Sequence, residues 1–267
     1  MVSLTVLASG SKGNCSVLAS SRTRILVDAG LSCREICRRI SATGEDALRL
    51  SAVIVSHEHS DHVHGLWVLA RKLNVPIYMT GATYHAWQRW ARDKNDGAKP
   101  ELAKLERFES GRSFMIGDIT VAPFTIPHDA ADPVGFSFRA EGVKIGIVTD
   151  LGYMPASVAD NIRACDGLMI ESNHDVEMLR GGPYPWVVKQ RVMSRVGHLS
   201  NEALAQFFAS DYDGSAAFLV LAHLSEQNNH PDLARRAAER ALAPRRDLLR
   251  NRLTLASQHR PLEPIRL

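Results

Sequence analysis

The stretch Ser51–His62, "SAVIVSHEHSDH", decides how this chain is read. Four consecutive apolar residues, Ala52–Val55, run into His57, Glu58, His59, Asp61 and His62. A short unbroken apolar run bounded by polar residues reads as a strand buried on both faces. Ionisable groups crowded at the end of such a strand are costly unless something satisfies them. In the turn after a strand, residues two apart point to the same side, so His57 and His59 can converge on one cation. Asp61 and His62 follow where the chain reverses and can face a second cation nearby. Neutral imidazole and carboxylate are good zinc ligands. A lone histidine at a strand end is more often structural; four groups at the spacing H-x-H-x-D-H call for a metal.

The same placement recurs outward along the chain. "ITVAPFTIPH" ends in His128, "VKIGIVTD" in Asp150, "AAFLVLAH" in His223 and "RILVD" in Asp28. Each group stands at the end of an apolar strand, where strands hand side chains to one rim. The coincidence of four says more than any one of them.

Strands and helices alternate in two halves. "SLTVLAS", "CSVLAS", "TRILVDAG", "LSAVIVS" and "VPIYMT" read as strands of the first half, and "SCREICRRISATG" as a helix capped by Ser32 and stopped at Gly44. "DHVHGLWVLARKLN" has helical spacing, and "GATYHAWQRWARDKNDG" reads as an aromatic-rich helix ending in a polar loop. "ERFES", "RSFMIGDITVAPFTIPH" and "GFSFRAEGVKIGIVTD" read as antiparallel strands turned at Gly117-Asp118 and Glu141-Gly142. "CDGLMIES", "GSAAFLVLAH" and "NRLTLAS" are further strands; "YPWVVKQRVMSRVG", "SNEALAQFFASDY" and "HPDLARRAAERALA" are helices. No internal repeat, low-complexity run or linker interrupts residues 1–267, so one domain is expected. The pattern predicts an α/β fold with two mixed sheets face to face and helices outside.

Composition narrows the class. Of 267 residues 45% are apolar and 23% charged, ordinary for a soluble globular protein. The net charge of +3 does not by itself indicate nucleic acid. Seven arginines between Arg235 and Arg252 (235, 236, 240, 245, 246, 250, 252) read as a solvated helix face rather than a phosphate-tracking patch. Cys15, Cys33, Cys37 and Cys165 form no CxxC pair; Cys33 and Cys37 read as buried structural thiols. Met1–Ser9 has no basic leader, and no apolar run approaches the roughly 20 residues that span a bilayer. A cytoplasmic protein with no membrane partner is expected.

The order Asp28, H-x-H-x-D-H, His128, Asp150, His223 resembles the five-motif pattern of the metallo-β-lactamase superfamily over nearly the whole chain. The resemblance implies an αββα four-layer sandwich with a two-metal site on its rim. By position, His57, His59 and His128 would hold the first ion, and Asp61, His62 and His223 the second. Asp150 would bridge both, and Asp28 would orient the histidine loop without binding metal. "LASGSKGNCSVL", "HDAADPVGFSF", "ESNHD", "GHLSN" and "AHLSEQNN" resemble the YycJ/WalJ family, cytoplasmic bacterial proteins of this fold regarded as DNA exonucleases. The layout is also similar to tRNase Z, where a "GHS" motif lies between the last two metal motifs.

Two divalent ions about 4 Å apart can deprotonate a bridging water and clamp the reacting group. The resemblance thus implies a two-metal phosphodiesterase, a 5′-3′ DNA exonuclease in which metal-bound hydroxide attacks the scissile phosphate. The ions would be Zn2+ or Mn2+. Histidine rather than glutamate at position 59 argues against the flavodiiron oxygen reductases. RNA processing is the nearest alternative. Thioester or lactam hydrolysis is the next, although "IPHDA" departs from the glycine-histidine pair of thioesterases of this fold. A non-catalytic protein keeping the fold is disfavoured by the full ligand set. His198 precedes Ser200, a helix N-cap, where a phosphate settles readily. It is expected to contact the scissile phosphate or protonate the leaving oxygen, beside Asp61 as the other catalytic group. His174, Ser200 and Asn228 are candidate substrate contacts. His64 reads as a polar neighbour, and Trp67, Trp87, Trp90 and Tyr84 read as core.

Overall fold

A computed structural model of the chain describes residues 1–94, 100–245 and 252–267. Arg246 and Arg250 of the arginine run lie outside the described residues, as does the polar loop expected after Lys94. The strands, in chain order, are β1 (Ser3–Ala8), β2 (Cys15–Ala19), β3 (Arg24–Val27), β4 (Ala52–Ile54), β5 (Ile77–Thr80), β6 (Leu105–Phe108) and β7 (Phe114–Ile116). They continue with β8 (Ile119–Thr125), β9 (Val134–Ala140), β10 (Val143–Val148), β11 (Gly167–Glu171), β12 (Phe218–Ala222), β13 (Arg252–Leu255) and β14 (Ile265–Arg266). The helices are α1 (Cys33–Ala42), α2 (Ser60–Val63), α3 (Leu66–Leu73), α4 (Gly81–Lys94), α5 (Ala156–Ile162), α6 (Val176–Gly181), α7 (Trp186–Val192), α8 (Asn201–Ser210) and α9 (Pro231–Leu242).

The strands form two seven-stranded sheets, ordered β14-β1-β2-β3-β4-β5-β6 and β13-β12-β11-β10-β9-β8-β7. Each is mixed. In the first, β3 to β6 run parallel and β1, β2 and β14 antiparallel. In the second, β10 to β13 run parallel and β7 to β9 antiparallel.

Alternation along single strands shows the layers. In β4 and the residue after it, Ala52 and Ile54 pack between the sheets, while Val53 and Val55 face the outer helices. In β12, Val220 and Ala222 point between the sheets; Leu219 and Leu221 point out. Successive side chains of a strand leave on opposite faces, so an unbroken apolar run is a strand covered on both sides. Ile36 and Ile40 of α1, Leu66 and Leu69 of α3 and Trp87 of α4 cover the first sheet. Val158 of α5, Leu204, Phe207 and Phe208 of α8, and Ala234 and Ala238 of α9 cover the second. The expected αββα sandwich is what the chain forms.

Some local expectations change. The helix expected from Asp61 to Asn74 is two, because Gly65 breaks it: a Cβ there would lie 2.1 Å from the Leu31 carbonyl oxygen. Helices α5 and α6 and the two-residue β14 had no counterpart in the sequence reading. The aromatics of α4 pack as core, with Trp87 fully buried and Tyr84 and Trp90 against it. Cys15, Cys33 and Cys165 are buried free thiols, and Cys37 is partly buried. Arg235 pairs with Glu239 on the exposed face of α9, as a solvated helix would. Among the described residues no helix is long and apolar enough to cross a membrane.

Candidate metal centre

The site lies where parallel strands of both sheets end. In open α/β sheets ligands gather beyond the carboxyl ends of the strands. Asp28 follows β3, the His57 loop follows β4, Asp150 follows β10, Glu171 ends β11 and His223 follows β12. Asp28, Asp150 and His223 have φ of 61°, 60° and 54°, the left-handed region that non-glycine residues rarely adopt. Such strain costs about 1–3 kcal/mol per residue and persists only where surrounding contacts fix it.

Those contacts are specific. The Asp28 carboxylate accepts from the Ser56 amide (2.8 Å) and from the Ser56 hydroxyl, and lies 2.8 Å from His62 Nδ1. Backbone bonds Asn14 N to Asp61 O and Ala29 N to His62 O, each 2.7 Å, clamp the histidine loop between two neighbouring turns. Gly30 permits this clamp: a Cβ there would sit 1.6 Å from the Asp61 carbonyl oxygen. The polar hairpin before β2 joins in through Asn14, whose Nδ2 lies 3.2 Å from Asp61 Oδ2 and 3.0 Å from His62 Nε2.

All seven side chains proposed as ligands meet. His57, His59 and His128 form one group and Asp61, His62, Asp150 and His223 another, with ligand atoms within 4.8 Å of one another in each. Asp150 belongs to the second and borders the first. Its Oδ2 lies 3.1 Å from His62 Nε2, and its Oδ1 lies 3.9 Å from His128 Nε2.

Hydrogen-bond partners assign the tautomers. His62 Nδ1 donates to Asp28, His57 Nδ1 to the Ser56 hydroxyl (3.0 Å), His128 Nδ1 to the Gly197 carbonyl (3.2 Å) and His223 Nδ1 to Glu171 (3.0 Å). Each ring, when neutral, presents its Nε2 lone pair inward, where Asp61 and Asp150 already present carboxylate oxygens. Acceptors facing acceptors across 3.1–3.9 Å are unsatisfied without positive charge between them. Accordingly, buried His57 Nε2, His223 Nε2 and Asp150 Oδ2 have no hydrogen-bond partner. The donor set suits a divalent cation of borderline character.

The electrostatics agree. Burial, with the neighbouring His62, pushes His57 well below the ordinary imidazole value, and burial likewise lowers His128. Burial would raise Asp150, but His223 and His62 beside it hold it well below the usual carboxylate range. Burial would lower His62 and His223, yet Asp150 and the other carboxylates lift both. The protons they attract occupy ground that a cation would take, so binding a metal there releases protons.

A third donor group, Asp150, Glu171, His198 and His223, overlaps the second. Glu171 is fully buried; its Oε1 accepts from His198 Nδ1 (2.8 Å) and His223 Nδ1, and its Oε2 from the amides of Leu151 (2.7 Å) and Leu199 (3.0 Å). Burial alone would raise it, but His198 and His223 bring it down to about 2. Four donors satisfy this carboxylate without a further ion. The sequence reading missed Glu171, although it ends an apolar strand, "GLMIE", as Asp150 and His223 do.

His198 stands in the third donor group, two residues before the expected Ser200 cap of α8. Its Nδ1 is held by Glu171, and the Ser200 hydroxyl caps α8 by accepting from the Ala203 amide at 3.1 Å. Burial is outweighed by Glu171, which raises the His198 pKa. His174 is 2% exposed and outside the three donor groups, with burial lowering it to about 4. Asn228 is 1% exposed, its amide against the Ser225 hydroxyl. As placed, neither faces solvent. His64 is exposed at the end of α2.

Sandwich, rim and donor set together define the metallo-β-lactamase class, and residues 23–223 match the model of the beta-lactamase superfamily domain. The chain is 39% identical over 230 residues to the protein named exodeoxyribonuclease WalJ of Streptococcus pneumoniae serotype 2 (strain D39), covering 86% of this chain and 84% of that one. It is 38% identical over 238 residues to exodeoxyribonuclease YycJ of Bacillus anthracis, covering 89% and 88%. Within the superfamily, this chain belongs to the WalJ/YycJ family. The metallo-β-lactamase fold protein YhfI of Bacillus subtilis superposes with a TM-score of 0.71 at 19% identity, covering 98% of this chain and 100% of that one. That likeness concerns the fold.

Proposed function

We propose that this chain is a metal-dependent exodeoxyribonuclease. It cuts DNA from the 5′ end, acts as one domain over residues 1–267, and uses two divalent ions, zinc or manganese, per chain. The observation that carries the reading is the two adjoining donor groups, with Asp150 3.1 Å from His62 Nε2 in its own group and 3.9 Å from His128 Nε2 in the other. Identity of 38–39% over most of the chain to proteins named exodeoxyribonucleases supports the bond and the polymer. Free cysteines throughout support a reducing, cytoplasmic setting.

His57, His59 and His128 would hold one ion, Asp61, His62 and His223 the other, with Asp150 between them. Ions so held supply Lewis acidity, polarising the phosphate and lowering the pKa of a water. The chain's own residues do the rest. Asp28 and Ser56 fix the rings of His62 and His57 with their lone pairs inward. The Asp61 side chain, 20% exposed, is the acidic ligand best placed to orient the attacking water. Glu171 grips His198 by Nδ1, so the other ring nitrogen of this 22%-exposed side chain can deliver a proton to the leaving oxygen.

The test is incubation of metal-loaded protein with 5′- and 3′-labelled duplex DNA, single-stranded DNA and RNA. Stepwise loss from the 5′ end of DNA is expected; intact DNA beside degraded RNA contradicts the reading. His198→Ala is expected to keep its metal and slow cleavage about 100- to 10,000-fold. An unchanged rate removes His198 from the chemistry.

A further inference from the structure

Three of the four tryptophans, Trp67, Trp87 and Trp90, pack into the layer between the first sheet and its helices. The fourth, Trp186, is 63% exposed at the start of α7, together with Val187 (75%), Val188 (38%), Met193 (37%) and Val196 (44%). Exposed large apolar residues gathered in one place mark a binding surface.

Charge selects the occupant. Residues 178–198 contain Arg180, Lys189, Arg191 and Arg195 and no aspartate or glutamate, in a chain whose net charge is only +3. Arg195 lies over the Tyr153 ring at 4.2 Å, Arg191 pairs with Asp129, Arg180 with Glu177, and Lys189 donates to the Arg180 carbonyl. Lys189 is buried, which leaves Arg191 and Arg195 as the exposed cations nearest the centre; an exposed indole beside guanidinium groups is the chemistry that holds single-stranded nucleic acid. A second copy of the chain fits less well, because an interface centred on this segment sets Arg195 against its own copy.

The strip is continuous with the metal centre. The Val192 carbonyl accepts from His198 N (2.9 Å), and the Val196 carbonyl from Asp129 N (3.0 Å), next to His128. Trp186 stands six residues before Val192, about 9 Å along a helix axis. At about 3.4 Å per stacked nucleotide that is roughly three nucleotides, fewer if the strand is stretched.

We propose that α7 and the turn after it form a platform for the single-stranded end of the DNA. Trp186 stacks on a base a few nucleotides from the scissile phosphate, and Arg191 and Arg195 line the backbone. This rests on the exodeoxyribonuclease reading.

The test is binding of a fluorescein-labelled oligothymidylate to the full chain in chelator, read by anisotropy and indole fluorescence, beside a metal-loaded degradation assay. Wild type is expected to bind with quenching. Trp186→Ala is expected to weaken binding about 5- to 100-fold, and Trp186→Phe, which keeps a ring, by less than about threefold. Leu48→Ala, at another surface residue 77% exposed, is the unaffected control. Wild-type affinity in Trp186→Ala, or no binding by wild type, overturns the platform. So does a Trp186→Ala protein that changes only from dimer to monomer in sedimentation. DNA degradation with Trp186-independent binding overturns the platform alone. Trp186-dependent binding without metal-dependent degradation upholds the platform and overturns the nuclease reading.

Discussion

Glu171→Gln isolates the residue that ties His223, a candidate metal ligand, to His198, the proposed proton donor. The carboxylate is fully buried and accepts four N–H groups, two imidazole and two backbone. A glutamine keeps the shape but offers one accepting oxygen and one NH2. With NH2 towards the amides of Leu151 and Leu199, two buried donors face another donor. An unpaired buried donor costs about 1–3 kcal/mol, so the pair costs about 2–6 kcal/mol. Against a total stability of about 5–15 kcal/mol that is large. At about 2–4 °C per kcal/mol for a chain of this size, melting should fall by roughly 5–20 °C. The orientation separates two outcomes. With oxygen towards the rings, stability falls and metal binding survives. With NH2 towards the rings, the His223 proton moves to Nε2, and affinity for the ion there falls about 10- to 100-fold. Calorimetry in chelator and a metal titration read the two together. A variant melting within about 1 °C of wild type, with a superimposable titration, refutes the reasoning.

Asp28→Asn should fold, because asparagine is among the few residues that accept the left-handed backbone found here at φ 61°. Its amide cannot accept from Ser56 and His62 together, so a metal titration should show about 10- to 100-fold weaker binding of one ion; unchanged affinity counts against the orienting role of Asp28. Acid should weaken the fold through three surface carboxylates held at about 2: Glu35 by its hydrogen bond to Arg38, Asp118 by Thr23, and Glu141 by the Met1 ammonium. Their folded pKa values lie below the unfolded values of about 4, so each adds stability above pH ~4 that is lost as pH falls towards 2. The melting difference between wild type and the Glu35→Gln/Asp118→Asn/Glu141→Gln protein should therefore shrink between pH 5 and 2; a constant difference contradicts it.

The sequence disclosed what depends on local pattern. "AVIV" before His57 marks a strand covered on both faces, and the same order of an apolar run followed by an ionisable site residue marks β3, β8, β10 and β12. The seven candidate ligands and Asp28 were legible because each ends such a run or follows in the same turn. Glu171 obeys the same rule and was missed because its neighbours in "ESNHD" drew the reading to His174. Its four partners come from segments up to 52 residues away, and pairing across that distance leaves no local trace. The same limit hid β14, a pair of residues ordered only by β1. It also hid the tautomers, since the acceptor that fixes His128 is a carbonyl 69 residues along the chain. Trp186 went unread for a different reason: a tryptophan among valines looks like core, and only packing shows that nothing covers it.

The central claim is that His57, His59, Asp61, His62, His128, Asp150 and His223 together cage a pair of cations. Anomalous diffraction from crystals grown with zinc or manganese tests it most directly. Two peaks about 4 Å apart, one within bonding distance of His57, His59 and His128 and the other of Asp61, His62 and His223, with Asp150 reaching both, is the predicted result. A single peak, or peaks away from these side chains, contradicts the account.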